Sequence, residues 1–414
     1  MQSGRLTQGR STRGMRVALA GSTLALSLAA CGSSDNNTSS STSAGSAVSC
    51  DTPGITATSI TIGVLMPLSG SGVTQRAGWN DGVNAYFDML NASGGINKRT
   101  VNVVVDDDKS TAAGSLDAGK DLVENKNAFS ILEAPLQDGA LDYLQAQGVP
   151  DIGHLTADVG AKHSNFFGIN GATIPGTGST AQAQFMKNQG ATSAANFTVS
   201  DPQATAGGQL FSKAAQVVGL NVGYSRFNVP FVPGDFTADA QAMKAKNIDA
   251  ASLSITNNVA IALYKAAAQA GVVFKAFVFP NFYDPVGVKQ VGADVAGTFT
   301  ALSAAPFELN LPESVKFQSA VAKYVPSGKT NLTALTGWQA ADLTTEILQK
   351  LGACPTRSAF LTAMQSATYD GHGTLGYTVK YHQPVLCSWY AKITANGYVP
   401  VGNKPVCGTS VSGS

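Results

Sequence analysis

The chain has 414 residues, 27 of them basic and 26 acidic, and 44% are hydrophobic. A balance this close to neutral excludes a basic face for nucleic acid and strong electrostatic steering of a charged substrate. The length and apolar content suit two domains of ordinary size, each with its own core.

The first thirty residues carry Arg5, Arg10, Arg13 and Arg16 but no acidic residue, and residues 17–30 are apolar or small. That run is too short to span a membrane and has the length of a signal-peptide core. It ends in Leu28-Ala29-Ala30-Cys31, which resembles the lipobox of bacterial lipoproteins. The resemblance implies cleavage before Cys31 and a diacylglyceryl thioether on its sulfur, anchoring the protein to the cell membrane from its extracytoplasmic side. An ordinary secretory signal with an incidental Cys31 is the alternative, and no Arg-Arg pair calls for twin-arginine export. Loss of residues 1–30 leaves 23 basic against 26 acidic residues, a net charge of −3.

Residues 32–49, GSSDNNTSSSTSAGSAVS, read as a coil tether spanning roughly 20–25 Å. With Cys31 lipidated, the other four cysteines suit an oxidising compartment, and three connectivities are open to them. Cys387 and Cys407 flank a predicted hairpin turning at Asn396-Gly397, which brings them close to register. Cys50 would then pair with Cys354.

ITIGVLM (60–66) predicts a strand, and the helix expected from about Ala77 places Val83, Tyr86, Phe87 and Leu90 on one stripe before Gly94-Gly95 stops it. TVNVVVD (100–106) is the next strand. Asp106-Asp107-Asp108 would not converge on a metal, because successive strand residues point to opposite faces; helix capping by one of them and solvation of the rest is the expectation. A helix follows to about Asn125. Within it, Gly114 to Lys120 matches GxxxxGK, yet Asp121 stands where a phosphate-binding loop needs a magnesium-binding hydroxyl. FSIL (129–132), a helix to Gln147 and a short strand at Pro150–Ile152 complete this half.

The rhythm restarts at SAANFTV (193–199) and continues through NVGYSRF (221–227), AASLSIT (250–256) and FKAFVFP (274–280). Helices are then predicted over Trp338–Leu351 and in PTRSAFLTAMQSA, with Pro355 near its start. Alternation at this spacing argues for right-handed βαβ units and an α/β fold of two similar open parallel-sheet lobes. His154, His163, His372 and His382 lack the spacing of metal ligands, and no G-x-S-x-G elbow occurs, so neither a cofactor nor an enzyme is expected.

Taken in order, the segments ITIGVLMPLSG (60–70), GWNDGVNAYFDMLNASGGI (78–96), VVVDDDKS (103–110), DLVENKNAFSIL (121–132), LQAQGVPDI (144–152), GDFT (234–237), KNIDA (246–250) and YDGHGTLG (369–376) resemble the type I periplasmic binding proteins. The similarity is to their leucine/isoleucine/valine-binding branch, the receptors of ABC transporters. It implies two lobes joined by three crossings near Gly153–Thr156, Asn281–Asp284 and Gly373–Thr378. Residues 54–153 plus 283–373 would form lobe one and 154–282 plus 374–408 lobe two, with a tether at 31–53 and a tail at 409–414.

The resemblance puts the ligand between the lobes, and open parallel sheets independently place ligands beyond the carboxyl ends of their strands. The expected binding residues are therefore Ser69 and Gly70, Pro135 to Gln137 (with Leu136), His154 and Thr156 on one side. Asp201, Gln203, Thr256, Asn257, Asn281 and Tyr283 face them. Trp338 stands where the family often sets an aromatic beside the ligand. The loop Glu133-Ala134-Pro135-Leu136-Gln137 lacks the hydroxyl residues that amino-acid-binding members place there, and only Asp201 offers itself to an α-ammonium. The expected ligand thus widens from an amino acid to an amide, a short carboxylic acid or a small aromatic acid. The expected role is a monomeric receptor that hands its ligand to an ABC permease; a lipid-anchored sensor serving a signalling partner is the alternative.

Overall fold

The computed structural model describes residues 50–154 and 162–413. Cys31 and Thr156 lie outside these residues. Strand β1 (Ser59–Met66) leads through helices α1 (Val73–Arg76) and α2 (Trp79–Ala92) to β2 (Thr100–Asp107). Then come α3 (Ala112–Lys120), which runs on as a π turn to Asn125, β3 (Ser130–Glu133), α4 (Leu141–Ala146), β4 (Asp151–Gly153) and β5 (Phe166–Gly168). These five strands form one parallel sheet in the order β2-β1-β3-β4-β5.

The chain then crosses to β6 (Thr177–Ser179), α5 (Ala181–Asn188), β7 (Ser193–Val199), α6 (Pro202–Val217), β8 (Asn221–Val229), α7 (Thr237–Ala245) and β9 (Ala250–Ser254). It continues through α8 (Asn257–Gln269), β10 (Ala276–Phe279), α9 (Gly287–Val291) and β11 (Phe299–Leu302). It returns to the first lobe with α10 (Pro312–Tyr324), α11 (Leu332–Leu351), α12 (Arg357–Gln365) and the pair β12 (Thr368–Tyr369) and β13 (Val379–Lys380). The last pieces are β14 (Cys387–Ile393), β15 (Tyr398–Pro400), β16 (Val406–Cys407) and β17 (Ser410–Ser412). The second sheet runs β15-β14-β11-β10-β9-β7-β8, parallel except at β14 and β15.

Burial follows the patterns read from the sequence. β7 is buried along its whole length, as fits a central parallel strand with both faces covered. On α2, Val83, Tyr86 and Phe87 are buried and pack on α11, which is itself buried nearly all round. Cys50 is bonded to Cys354 and Cys387 to Cys407, the latter across a registered antiparallel pair.

The lobe boundaries differ from those expected. β5 pairs with β4, so the first crossing falls between Gly168 and Thr177, not at Gly153–Thr156. β11 pairs with β10 in the second sheet, which moves the second crossing from Asn281–Asp284 to the stretch after Leu302. Tyr381 and His382 still bond to Ser164, His163 and Phe166 of the first lobe, so the third lies just before Cys387, not at Gly373–Thr378. Residues 50–53 are stapled and bridged to the body and are no tether; the expected tail forms β17, paired with β6. The helix over Trp338–Leu351 begins six residues earlier, at Leu332.

Candidate functional site

A cavity of about 410 Å³ lies between the two sheets. Much of its wall follows directly on the ends of parallel strands: Ala134 after β3, His154 after β4, Asn170 just past β5, Pro280 and Asn281 after β10, and Ser303 after β11. This is the carboxyl-end rule of open α/β sheets realised from both sides. Trp79 at the start of α2, Leu332, Thr333 and Thr336 at the start of α11, and Ser388 on the antiparallel β14 close it. It opens through Arg76, Pro280 and Asn281 into a mouth of about 820 Å³.

The wall on the first lobe is built around a break between two helices. Ala77 and Gly78 separate α1 from α2, and Gly78 has φ 102°, with the side-chain oxygen of Asn331 2.7 Å from where a Cβ would stand. That oxygen accepts from the Ala334 N–H at 2.8 Å and caps α11, while Asn331 Nδ2 donates to the Ala77 carbonyl at 3.0 Å. One side chain thus fixes both the turn that presents Arg76 and the helix end that presents Thr333 and Thr336.

Arg76 is 6% exposed. Its Nε and Nη2 donate to the Pro135 carbonyl at 3.2 and 3.1 Å, and no carboxylate forms an ion pair with it among the described residues. Burial lowers its pKa, with Asp138 and Asp108 opposing from longer range; a guanidinium keeps its charge regardless. Trp79 is fully buried, and its indole N–H has no acceptor among the described residues. His154 Nδ1 accepts from Asn170 Nδ2 at 2.9 Å, which leaves the proton of the neutral ring on Nε2. Burial first, and the charge of Arg76 second, push His154 down to about 3, so the ring is neutral at physiological pH.

Of the residues expected from the sequence, His154 and Asn281 line the cavity, and Thr256, Asn257 and Tyr283 line its mouth. The other described ones lie elsewhere. Ser69 Oγ donates to Asp107 at 2.6 Å, and Gly70 is covered by Ser110, so this loop is consumed by its own hydrogen bonds. Asp107 and Asp108 serve that loop, while Thr111 caps α3 in the place expected of an aspartate. Pro135 acts through its carbonyl as the holder of Arg76, Leu136 does not reach the cavity, and Gln137 is exposed. Asp201 caps α6 by accepting from Ala204 at 2.9 Å, with exposed Gln203 in the same first turn, so neither borders the cavity. Trp338 is a core residue, set edge-on against Tyr86 and Phe317 and donating to Glu313 at 2.9 Å.

The residues that sequence reasoning missed are Arg76, Trp79, Asn170, Ser303 and Ser388. Trp79 stood inside the segment GWNDG, next to a glycine whose positive φ marks a sharp entry to a helix. Arg76 carried no such signal, because a loop arginine ordinarily reads as solvated. One group among the described residues has the spacing of metal ligands, Asp342, Glu346 and His372. There Asp342 already accepts from Tyr86, Tyr369 and His372, and the cluster is accounted for by those hydrogen bonds.

The family model described as periplasmic binding protein matches residues 59–398. No curated protein matches the chain. Among solved structures, the branched-chain amino acid transporter substrate-binding protein LivJ from Streptococcus pneumoniae, in complex with isoleucine, is 16% identical with a TM-score of 0.67, over 84% of this chain and 99% of that one. An R. palustris ABC-transporter solute-binding protein in complex with 4-hydroxybenzoate is 16% identical with a TM-score of 0.68, over 84% and 97%. Another from R. palustris, in complex with benzoate, is 18% identical with a TM-score of 0.64, over 85% and 97%. By family model and by fold, the chain belongs to the periplasmic binding proteins, which are not enzymes.

Proposed function

We propose that the protein is the extracytoplasmic receptor of an ABC importer, catching a small polar or amphipathic organic solute between its lobes and delivering it to a membrane permease. The observation that carries this is the cavity itself, walled on one side by Arg76, Trp79 and His154 and on the other by Asn281, Ser303 and Ser388. A ligand touching both walls binds better when the lobes close than when they part, and that difference is all the mechanism requires. His154, Thr256, Asn257, Asn281 and Tyr283 remain candidate contacts from the strand-end argument. The related structures hold isoleucine, benzoate and 4-hydroxybenzoate, so the fold accommodates both amino acids and aromatic acids. Lipidation at Cys31 would keep such a receptor, working as a monomer, beside its permease. The signalling alternative draws no support from these transport relatives.

A thermal-shift series with aliphatic amino acids, amides, short carboxylic acids and aromatic acids tests this reading. A ligand at a hundred times its Kd stabilises by about 2.7 kcal/mol. Stoichiometric binding with the ligand recovered unchanged is expected; conversion of the ligand, or silence across the whole series, would overturn the receptor.

A further inference from the structure

We infer that the cavity takes a small carboxylate carrying no α-ammonium group, with Arg76 as its anchor, an inference that rests on the receptor reading above. The argument begins with hydrogen-bond supply. Pro135 uses two of the Arg76 N–H groups, and the rest have no acceptor among the described residues although the side chain is almost wholly shielded from solvent. The indole N–H of buried Trp79 is likewise unanswered, and the neutral His154 ring offers Nε2–H. Two donors, one of them cationic, therefore border the same cavity with nothing among the described residues to receive them, and the Trp79 N–H lies buried just behind its wall. A buried charge or donor without a partner is costly, and a carboxylate supplies a two-pronged acceptor matched to the guanidinium fork.

The second half of the argument is what the wall lacks. Among the described residues no aspartate or glutamate lines the cavity; Asp284 borders only the mouth, and Asp201, the acid that the sequence offered to an α-ammonium, is spent on capping α6. An amino acid would bring its cationic group to a cavity whose wall holds a guanidinium and, among the described residues, no carboxylate. The remaining wall includes Leu302, Leu332, Val385 and the Tyr377 ring, which suits a branched or aromatic body. The cavity is at the small end of the usual ~300–1,000 Å³ for ligand sites, so the acid is small.

Calorimetric titration of the full-length protein with four probes tests this: benzoate against benzamide, and 4-methyl-2-oxopentanoate against leucine. At least one acid is expected to bind ten times or more tighter than its uncharged or amino counterpart. Arg76→Gln should lose that acid by at least tenfold. Arg76→Lys should weaken it less and keep the preference, and Trp79→Phe should weaken it a few-fold. Melting curves establish that each variant is folded. Leucine or benzamide binding as tightly as its acid, or a folded Arg76→Gln protein binding the acid unchanged, would overturn the inference and leave the receptor intact. Silence toward all four probes overturns it too; if a non-acid from the wider series binds, the receptor stands, and if nothing does, both readings go.

Discussion

Gly82 on α2 lies so close to Ala334 on α11 that a Cβ built on it would stand 1.7 Å from the Ala334 carbonyl oxygen. Gly337 returns the contact, its own Cβ position lying 2.2 Å from the Trp79 carbonyl. Two glycines thus bring the backbones of these helices together where Trp79 and Thr336 enter the cavity wall. Gly82→Ala is expected to force the helices apart, at about 3 kcal/mol. It should also weaken ligand binding. Gly207→Ala, inside α6 with open space at its Cβ, should instead stabilise by about 0.5–1 kcal/mol. Denaturant melts of the two variants check the contrast; equal effects would show that the close approach is not what Gly82 serves.

The two disulfides close loops of very different size, with separations of 304 and 20 residues. Chain-entropy reasoning assigns about 6 kcal/mol to the longer and about 3 kcal/mol to the shorter. Replacing Cys50 and Cys354 together by serine should therefore lower the unfolding midpoint more than replacing Cys387 and Cys407. The reverse order would place the stabilisation in local strand pairing.

His372 donates to the buried Asp342 carboxylate, and that hydrogen bond raises the imidazole from 6.5 to about 9. A folded-state pKa raised in this way stabilises fully below 6.5 and is lost as pH climbs through about 9. Nearly half of the imidazole is exposed, so the effect is small, about 0.5–1 kcal/mol. NMR titration should find the His372 midpoint near 9, and His372→Gln should flatten the decline of stability over that window.

Glu133 and Asp151 sit fully buried on the neighbouring strands β3 and β4, and among the described residues their carboxyl groups meet each other and no other hydrogen-bond partner. Burial, reinforced by nearby acids, raises both well above the usual carboxylate range. The unfolded chain gives up these protons at lower pH than the folded one, so the pair makes stability fall as pH rises above about 4.5. Glu133→Gln should raise the melting temperature at pH 7 and leave it little changed at pH 4. A loss at pH 7 would show that the ionised acid is needed by the fold.

Most of the sheet order was legible because parallel strands buried on both faces announce themselves as apolar, β-branched runs. β5 and β11 did not, being three and four residues long and set among turns. Their omission is what displaced two of the crossings. The candidate site was legible as strand-end loops but not as contacts, because Ser, Asp and Asn at such ends serve either a ligand or the local backbone. At Ser69 and Asp201 the backbone won. Trp338 misled for a related reason: the cap at Asn331 starts the helix six residues earlier and turns that indole into the core.

The Cys50–Cys354 bond also decides how the molecule would bear a mechanical load. Tension between the two termini passes from Cys50 straight to Cys354 and bypasses a closed covalent loop with roughly 1,000 Å of contour. Arg76, Trp79, His154, Asn281 and Ser303 all lie inside that loop, and Ser388 lies inside the smaller one closed by Cys387 and Cys407. Of the cavity residues, Tyr377, Val385 and Cys387 remain on the strained path, which includes the third crossing. A protein stretched at its ends would yield first at that strap while most of its binding wall stayed unloaded.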